Sequence, residues 1–278
     1  MTIKQNLENA LKKLKENNII DSNIKARILL SFILDKPKEY LIINSEKDLE
    51  KNTQEKFNIA ITRLIKGEPL QHITEKQEFM KMDFFVNKEV LIPRPDTEIL
   101  VEEVIELLRK NKNPKVLDLC TGSGIVAITI AKYIRNSKVT AIDVSEKALE
   151  IAKKNAKANK EEIRFIKSNM FEKLSIEEKY NLIVSNPPYI DEKEMKGLDE
   201  EVKREPHLAL YGGIDGLDYY RIIIQNAYKH LEQDGYLCLE IGYNQKESVI
   251  KLIKESGKYK NIYSKKDLCG NDRIIICS

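Results

Sequence analysis

What this chain has little of narrows its function first. Four cysteines, Cys120, Cys238, Cys269 and Cys277, are spread over 278 residues with no C-x-x-C spacing. That pattern carries neither a disulfide framework nor a zinc site, and all four are expected to be reduced and buried, as suits the cytoplasm. The three histidines, His72, His207 and His230, are scattered, so each is expected to be structural or solvent-facing, and no metal is called for. No apolar run approaches the roughly 20 residues that cross a bilayer, and the first ten residues are too polar for a secretory signal. A soluble, cytoplasmic protein is expected. Charge of either sign is not in excess: 47 basic against 44 acidic side chains leave +3. So even a balance gives no strong nucleic-acid footprint, although a local basic patch is compatible with it. No internal repeat, low-complexity segment or nucleophile–base pair is visible.

Enough is present for a full core, with 42% apolar residues in a chain longer than the usual single domain. Residues 1–73 read as a small helical bundle. Ile3, Leu7, Ala10, Leu11 and Leu14 recur at helical spacing; a second helix follows an Asp21-Ser22 cap; a third runs from about Ser45 to Ile65. Residues 74–92 read as a β-hairpin linker, with strands at Glu78-Phe79-Met80 and Phe84-Phe85-Val86 around Lys81-Met82-Asp83. Residues 93–278 form the main domain. Pro93-Arg94-Pro95 cannot be helical, and Asp96 or Thr97 can cap a helix from Glu98 to Arg109. Arg94 is equally readable as a structural plug or as a contact to a ligand. From Lys115 onward, strands near 115–119, 138–143, 162–166, 180–185, 235–241, 259–264 and 272–277 alternate with helices. This βα rhythm predicts an α/β, doubly wound sheet with ligands at the carboxyl ends of its strands.

Asn186-Pro187-Pro188-Tyr189, straight after the apolar strand Leu182-Ile183-Val184-Ser185, is the most informative segment. An amide or exocyclic amine nitrogen is a poor nucleophile because its lone pair is delocalised. Two adjacent acceptors, the Asn186 side-chain oxygen and the Pro187 carbonyl, could hold both N–H bonds of a planar NH2 and aim the lone pair at an electrophile. The prolines stiffen the loop, and Tyr189 offers a flat face. The plainer alternative is a Pro-Pro strand stop followed by a core tyrosine. A second site begins at Val116-Leu117-Asp118-Leu119-Cys120-Thr121-Gly122-Ser123-Gly124, a buried-type strand entering a Gly-rich turn, with an apolar helix behind it. Asp143 ends the next strand, where a carboxylate can accept both ribose hydroxyls. Gly122-x-Gly124-x-x-Ala127 also fits the dinucleotide fingerprint. Asp118, placed to meet a cofactor ammonium, and the Asn186 loop favour S-adenosylmethionine over NAD, since no proton relay for hydride chemistry is visible.

Over nearly its whole length the chain resembles the protein-(glutamine-N5) methyltransferases that modify peptide-chain release factors. The resemblance rests on Gly67 to Ile73, Val90 to Glu98, the Gly-rich turn, Asn186 to Tyr189, Glu205-Pro206 with Ala209-Leu210, and Gly212 to Leu217. The Asn-Pro-Pro-Tyr loop alone also occurs in adenine-N6 and guanine-N2 methyltransferases of nucleic acids. The resemblance implies a seven-stranded, Rossmann-like, S-adenosylmethionine-dependent methyltransferase domain with its last strand antiparallel. It also implies methyl transfer to the glutamine of a Gly-Gly-Gln loop in class 1 release factors. Asn186, Pro187 and Tyr189 would be catalytic, and Pro188 would join them in holding the substrate. Asp118, Cys120, Thr121, Gly122, Ser123, Gly124, Asp143, Asn169, Met170 and Asn186 would bind the cofactor. Asn169 stands where the family often has Asp, so altered affinity is expected rather than lost activity. The helical module would dock the release factor; its plainer reading is a stabilising cap. A monomer with no direct nucleic-acid substrate and no membrane contact is expected. The stretch Asp191 to Asp218 is long for a loop; its acids, Glu205 among them, read as a solvated face, or the stretch as a lid with Gly212, Gly213 and Gly216 as flexible points.

Overall fold

Apolar residues at helical spacing build the first quarter of the chain into α1 (Ile3–Glu16), α2 (Ser22–Leu34), α3 (Lys38–Ile43), α4 (Lys51–Ile65) and α5 (Leu70–Thr74). The computed structural model describes every residue from Met1 to Ser278. It divides into one unit of Met1–Lys76 with Asp199–Arg204 and another of Gln77–Leu198 with Glu205–Ser278. In the helical unit, α1 starts with a capping box: the Thr2 hydroxyl accepts from Gln5 N at 3.2 Å, and Gln5 Oε1 accepts from Thr2 N at 3.0 Å. Leu14, Leu29, Leu30, Phe57, Ile61 and Leu64 close the core between the helices. Two expectations fail locally. The segment after Ser45 turns helical only at Lys51, behind the short α3. Asp21 is left-handed (φ 55°) and does not cap α2 through its side chain; the Ser22 hydroxyl donates back to the Ile19 carbonyl instead. Residues 199–204 join this unit through a Lys25–Glu201 ion pair of 2.7 Å and an Arg204 bond to the Lys66 carbonyl.

The hairpin comprises β1 (Lys76–Phe79) and β2 (Met82–Phe85). Its turn is Met80-Lys81, both left-handed (φ 48° and 60°), a conformation that normally selects Asn or Gly. The strands therefore lie one or two residues earlier than the sequence suggests. The buried Phe79 and Phe84 rings meet edge to face at 6.2 Å, so packing overrides the unfavourable turn residues.

The main sheet follows as α6 (Asp96–Leu108), β3 (Lys115–Leu119), α7 (Ile125–Tyr133), β4 (Lys138–Asp143), α8 (Glu146–Asn159), β5 (Arg164–Lys167), β6 (Tyr180–Ser185), α9 (Glu192–Gly197), α10 (His207–Leu210), α11 (Asp218–Ala227), β7 (Leu231–Glu240), α12 (Lys246–Ser256), β8 (Tyr263–Lys266) and β9 (Asp272–Cys277). The strand order is β5-β4-β3-β6-β7-β9-β8. The first five are parallel, and the last strand, β9, runs antiparallel to both neighbours, as expected. Both faces are apolar, which a buried parallel sheet requires. Val116, Leu182, Val184 and Ile276 pack with α6 and α7, while Leu117, Ile183, Leu237 and Ile275 pack with α11 and α12. The sheet grows from β3 through β4 to β5 on one side and through β6 to β7 on the other. This reversal opens a crevice between the ends of β3 and β6.

Several boundaries differ from the sequence reading. Tyr259 lies outside β8 because its hydroxyl donates to the Ile224 carbonyl and accepts from Tyr228 N. Leu231 already pairs with Tyr180, ahead of a register shift, so β7 begins before residue 235. The stretch 191–218 holds α9, a 3-10 turn at Val202–Arg204 and α10 rather than open loop. All four cysteines are free, with Cys238 and Cys277 buried; Cys269, expected inside, is exposed on the turn before β9. Asp96 and Thr97 do not cap α6, which begins at Asp96 behind a helical Pro95. No helix is long and apolar enough to cross a membrane.

Candidate active site

Strand register alone brings the two sequence motifs together. Leu119 of β3 faces Ile142 of β4 on one side and Ser185 of β6 on the other. The next residue on each strand, Cys120, Asp143 and Asn186, therefore emerges at the same rim. Three of the five residues of the Gly-rich turn are left-handed: Cys120 (φ 60°), Gly122 (φ 54°) and Gly124 (φ 83°). The two glycines serve different ends. A Cβ on Gly124 would lie 2.9 Å from Ile128 Cδ1 and 3.0 Å from Ala152 Cβ, so this glycine lets α7 and α8 close. A Cβ on Gly122 would meet no protein atom within 4 Å, so the backbone there faces open space that a ligand can enter. Gly122 N donates to Asp143 Oδ2 and Ser145 N to Asp143 Oδ1, both at 2.8 Å, which fixes the carboxylate plane. Burial raises the Asp143 pKa, opposed by those N–H groups and that of Val144.

Asp118 sits beneath the turn, 1% exposed. Its Oδ2 accepts from the Thr121 hydroxyl at 2.6 Å. Burial pushes its pKa up to about 7, against the Thr121 hydroxyl and the Ala127 N–H in the first turn of α7. A cationic group nearby would return it to the carboxylate form. Cys120 is no nucleophile, because burial and then Asp143 hold its thiol well above the usual range.

Two hollows that share lining residues open here. The larger, about 420 Å³, is lined by Cys120, Gly122, Asp143, Asn169, Met170, Asn186 and Pro188, with Val90, Leu91, His207 and Tyr219 among the other residues of its wall. The smaller, about 40 Å³, shares Leu91, Cys120, Gly122 and Asn186 and reaches Arg94, Thr97, Asp118, Thr121 and Ser123. The first volume falls in the range that holds a nucleoside-sized ligand. A roomier hollow of about 710 Å³ lies at the opposite, amino-terminal ends of β3, β4 and β6, lined by Lys115, Lys138 and Tyr180. Chemistry on a doubly wound sheet belongs at the carboxyl ends.

The Asn-Pro-Pro-Tyr loop is clamped from several directions. Asn186 Nδ2 donates to Thr97 Oγ1 at 3.2 Å. Gln245 Nε2 donates to the Tyr189 carbonyl at 2.8 Å and the Gly216 carbonyl at 3.3 Å, while its Oε1 accepts from Gly242 N at 3.0 Å. Gly212 and Gly216 touch the loop so closely that a Cβ would stand 2.7 Å from Tyr189 Cα and 2.4 Å from Tyr189 O, respectively. They are close-approach glycines rather than the flexible points of a lid. Pro187 is buried, and Tyr189 packs with the α11 and α12 core without lining either hollow. Glu205, read from the sequence as a solvated acid, is 5% exposed; it pairs with Arg94 and accepts from Ile92 N at 2.8 Å. Arg94 is thus held by Glu205 and also lines the smaller hollow, so both readings of it meet at one place. His207, thought structural or solvent-facing, is exposed at the cavity wall, whereas His230 is buried against Phe171. Asn155 has no motif: it accepts from Phe85 N at 2.7 Å and donates to the Phe85 and Ser123 carbonyls at 2.9 Å, tying β2 to the Gly-rich turn. Only its place among the apolar positions of α8 hints at this.

Residues 5–74 match the family described as PrmC N-terminal domain, and residues 95–204 match Methyltransferase small domain. The release factor glutamine methyltransferase of Clostridium acetobutylicum is 40% identical over 99% of this chain and 98% of its own length. That of Koribacter versatilis is 37% identical over 99% and 98%. This chain belongs to the release factor glutamine methyltransferases. It is an S-adenosylmethionine-dependent enzyme. The bifunctional methyltransferase of Rickettsia felis, 38% identical over the whole chain, is longer, and the match spans 58% of it. Among solved structures, the hMettl16 catalytic domain in complex with a MAT2A 3'UTR hairpin aligns over 90% of this chain and 92% of its own at 14% identity, with a TM-score of 0.61. At that identity the likeness is one of fold.

The residues present suit the family's cofactor. Open space above Gly122 admits a ligand to the backbone, Asp143 retains lone pairs for hydroxyls, and Asp118 offers a carboxylate that a cation would ionise. Asn169 and Met170 line the same cavity, with the Asn169 amide turned to Glu172 Oε1 at 2.7 Å.

Proposed function

We propose that this enzyme transfers a methyl group from S-adenosylmethionine to the side-chain amide nitrogen of the glutamine in the Gly-Gly-Gln motif of class 1 peptide-chain release factors. The observation that carries the reading is Asn186, at the tip of β6, sharing one cavity with Gly122 and Asp143. A polar acceptor beside a nucleoside-sized hollow suits an amide nucleophile. Full-length kinship to release factor glutamine methyltransferases supports the substrate class.

In this reading Asn186 Oδ1 and the Pro187 carbonyl accept the two N–H bonds of the substrate amide, and Pro188 packs beside it. When bound, the cofactor would supply a methyl on a sulfonium together with a thioether leaving group, so that the C–N bond gained by the amide would be balanced by the C–S bond lost. The methylated nitrogen then loses a proton to water, so the chain needs orientation and water exclusion more than a strong base. Asp143 would hold the ribose and Asp118 the ammonium, and Cys120, Thr121, Ser123, Gly124, Asn169 and Met170 would shape the rest of the cofactor site. Tyr189 supports the loop from behind rather than offering its ring to the amide. The helical unit, with Ile20, Ile24, Ile42, Ile43 and Ile59 exposed, serves as the surface that grips the release factor.

The test is labelled methyl transfer to a purified release factor, wild type and with Gln→Ala in its Gly-Gly-Gln motif, with DNA and RNA in parallel. Label on the wild-type factor alone supports the reading. Label on nucleic acid, or equal label on both factors, ends it.

A further inference from the structure

Behind Asn186 lies a buried carboxyl group that touches neither the substrate amide nor the cofactor cavity. Glu240, the last residue of β7, is 1% exposed, and its Oε2 has no hydrogen-bond partner. Register explains its position: Ser185 of β6 pairs with Leu239 of β7, so Asn186 and Glu240 leave their strands side by side. Thr97, also 1% exposed, stands between them in the first turn of α6. Its Oγ1 accepts from Asn186 Nδ2 at 3.2 Å. Burial raises the pKa of the Glu240 carboxyl, and the polar side chains of Thr97 and Asn186 beside it oppose that rise.

We propose that Glu240, acting through Thr97, is the positioning residue that decides which end of the Asn186 amide faces the substrate. The inference rests on the proposed function, because the orientation matters only if Asn186 receives an NH2 group. An asparagine side chain is nearly symmetric in shape but opposite in polarity across its amide, so only its hydrogen-bond partners can choose between its two orientations. As a carboxylate, Glu240 can only accept. The Thr97 hydroxyl must then donate inward, leaving its lone pair to accept from Asn186 Nδ2 and Oδ1 to face the cavity. If Glu240 is protonated, it can donate to Thr97 Oγ1. The hydroxyl proton then turns toward Asn186, drawing Oδ1 inward and presenting NH2 to a substrate NH2, donor against donor.

The proton on Glu240 is therefore the switch between the two orientations. Burial is the main cause that raises its pKa, to about 7. Of the groups facing it, Thr97 from α6, Arg273 from β9 and Asn186 pull the pKa down, and Asp96 from α6 pushes it up. Burial raises the pKa of Tyr189 on the loop, with Glu240 next; burial and then Tyr189 and Glu240 raise that of Tyr220 on α11, whose hydroxyl donates to the Glu240 backbone carbonyl at 2.9 Å. The neighbouring acids and tyrosines oppose a second negative charge, and Arg273 supports it.

The experiment measures kcat/KM for the release factor at saturating S-adenosylmethionine across the neutral pH range, in wild type, Glu240→Gln, Thr97→Val and Thr97→Ser. Cofactor Kd is read separately by calorimetry. Wild type should lose activity as pH falls through about 7. Glu240→Gln, which carries no titratable proton, should lack the acid limb and keep one rate across this range, about tenfold below alkaline wild type where its NH2 rather than its oxygen faces Thr97. Cofactor Kd should stay within about twofold. Thr97→Val should show the same loss and Thr97→Ser should recover it, which decides the matter if Glu240→Gln folds poorly. An active wild type whose acid limb persists in Glu240→Gln, or Thr97→Val and Thr97→Ser variants with equal rates, overturns this inference alone. A wild type that leaves the release factor unlabelled overturns the proposed function instead.

Discussion

Gly212→Ala tests whether the Asn-Pro-Pro-Tyr loop is positioned by contact from behind. The added methyl would stand 2.7 Å from Tyr189 Cα, 2.8 Å from Pro188 O and 2.9 Å from Tyr189 C, all backbone atoms that cannot rotate away. Ordinary contact begins near 3.4 Å, so the loop must retreat by about 0.7 Å. Gly212 itself cannot yield easily, since its N–H donates to the Ile190 carbonyl at 2.9 Å and its carbonyl accepts from Asp218 N at 3.0 Å. Overpacking of this kind costs about 1–3 kcal/mol of stability. A shift approaching 1 Å at reacting groups can cost on the order of a hundredfold in rate. Transfer to the release factor should therefore fall roughly 10- to 100-fold, with cofactor Kd within about twofold, because the cofactor side of the cavity is untouched. Labelled transfer, calorimetry and a thermal melt read these three quantities. Gly197→Ala, where a Cβ meets nothing within 4 Å, is the control and should match wild type. Gly212→Ala with wild-type turnover would refute the argument that the loop is held by close approach.

Gly122→Ala and Gly124→Ala should separate binding from folding. Both force alanine into a left-handed conformation at about 1–2 kcal/mol, but only Gly124→Ala also drives a methyl into Ile128 and Ala152. Melts should show the larger loss for Gly124→Ala, and calorimetry a weakened cofactor for a still-folded Gly122→Ala; the reverse order would contradict the glycine roles. Asn155→Ala strips bonds from Phe85 N, Phe85 O and Ser123 O and should cost about 2–4 kcal/mol in urea denaturation, a prediction that a loss under about 1 kcal/mol would defeat. Asp118 and Glu240 titrate at about 7, raised from 3.8 and 4.5, so the folded state holds protons that the unfolded chain has lost. Their contribution to stability is complete below the unfolded values and vanishes as pH rises through about 7. The cofactor-free melting temperature should fall across that window, less steeply in Asp118→Asn, and an unchanged slope in that variant would count against the burial of this carboxylate.

The sheet was legible because each strand is a short apolar run and the helices between them carry apolar faces at helical spacing. Edges were less so. Nothing local tells Tyr259, a buried anchor whose hydroxyl bonds chain 31 and 35 residues away, from the start of a strand. The reactive ends of the site were also legible, since Gly122, Asp143 and Asn186 each sit in a contiguous motif. Their supports were not. Glu205 acts on Arg94 across 111 residues, Gln245 on Tyr189 across 56, and Thr97 on Asn186 across 89. A polar residue that serves a partner so far along the chain looks, in one dimension, like any surface acid or amide. The 191–218 stretch shows the same failure, because its acids suggest solvent while Glu205 among them is one of the most buried carboxylates in the protein.

Those supports share a physical origin in the loop's two prolines. Pro187 and Pro188 have no N–H to donate, so the ladder that fixes β6 up to Ser185 cannot continue through them. A loop left with carbonyls alone drifts unless other elements hold it. Four do so here: α6 through Thr97, the turn after β7 with α12 through Gln245, the segment before α11 through Gly212 and Gly216, and β7 through Glu240. In the proposed reaction the same lack of local bonding is what leaves a backbone carbonyl available to a substrate amide. The feature that makes the loop chemically useful therefore also makes it mechanically dependent. Variants that leave every residue of the loop intact but loosen one of these four supports should lose methyl transfer while keeping the cofactor, a separation that a purely local reading of Asn-Pro-Pro-Tyr would not produce.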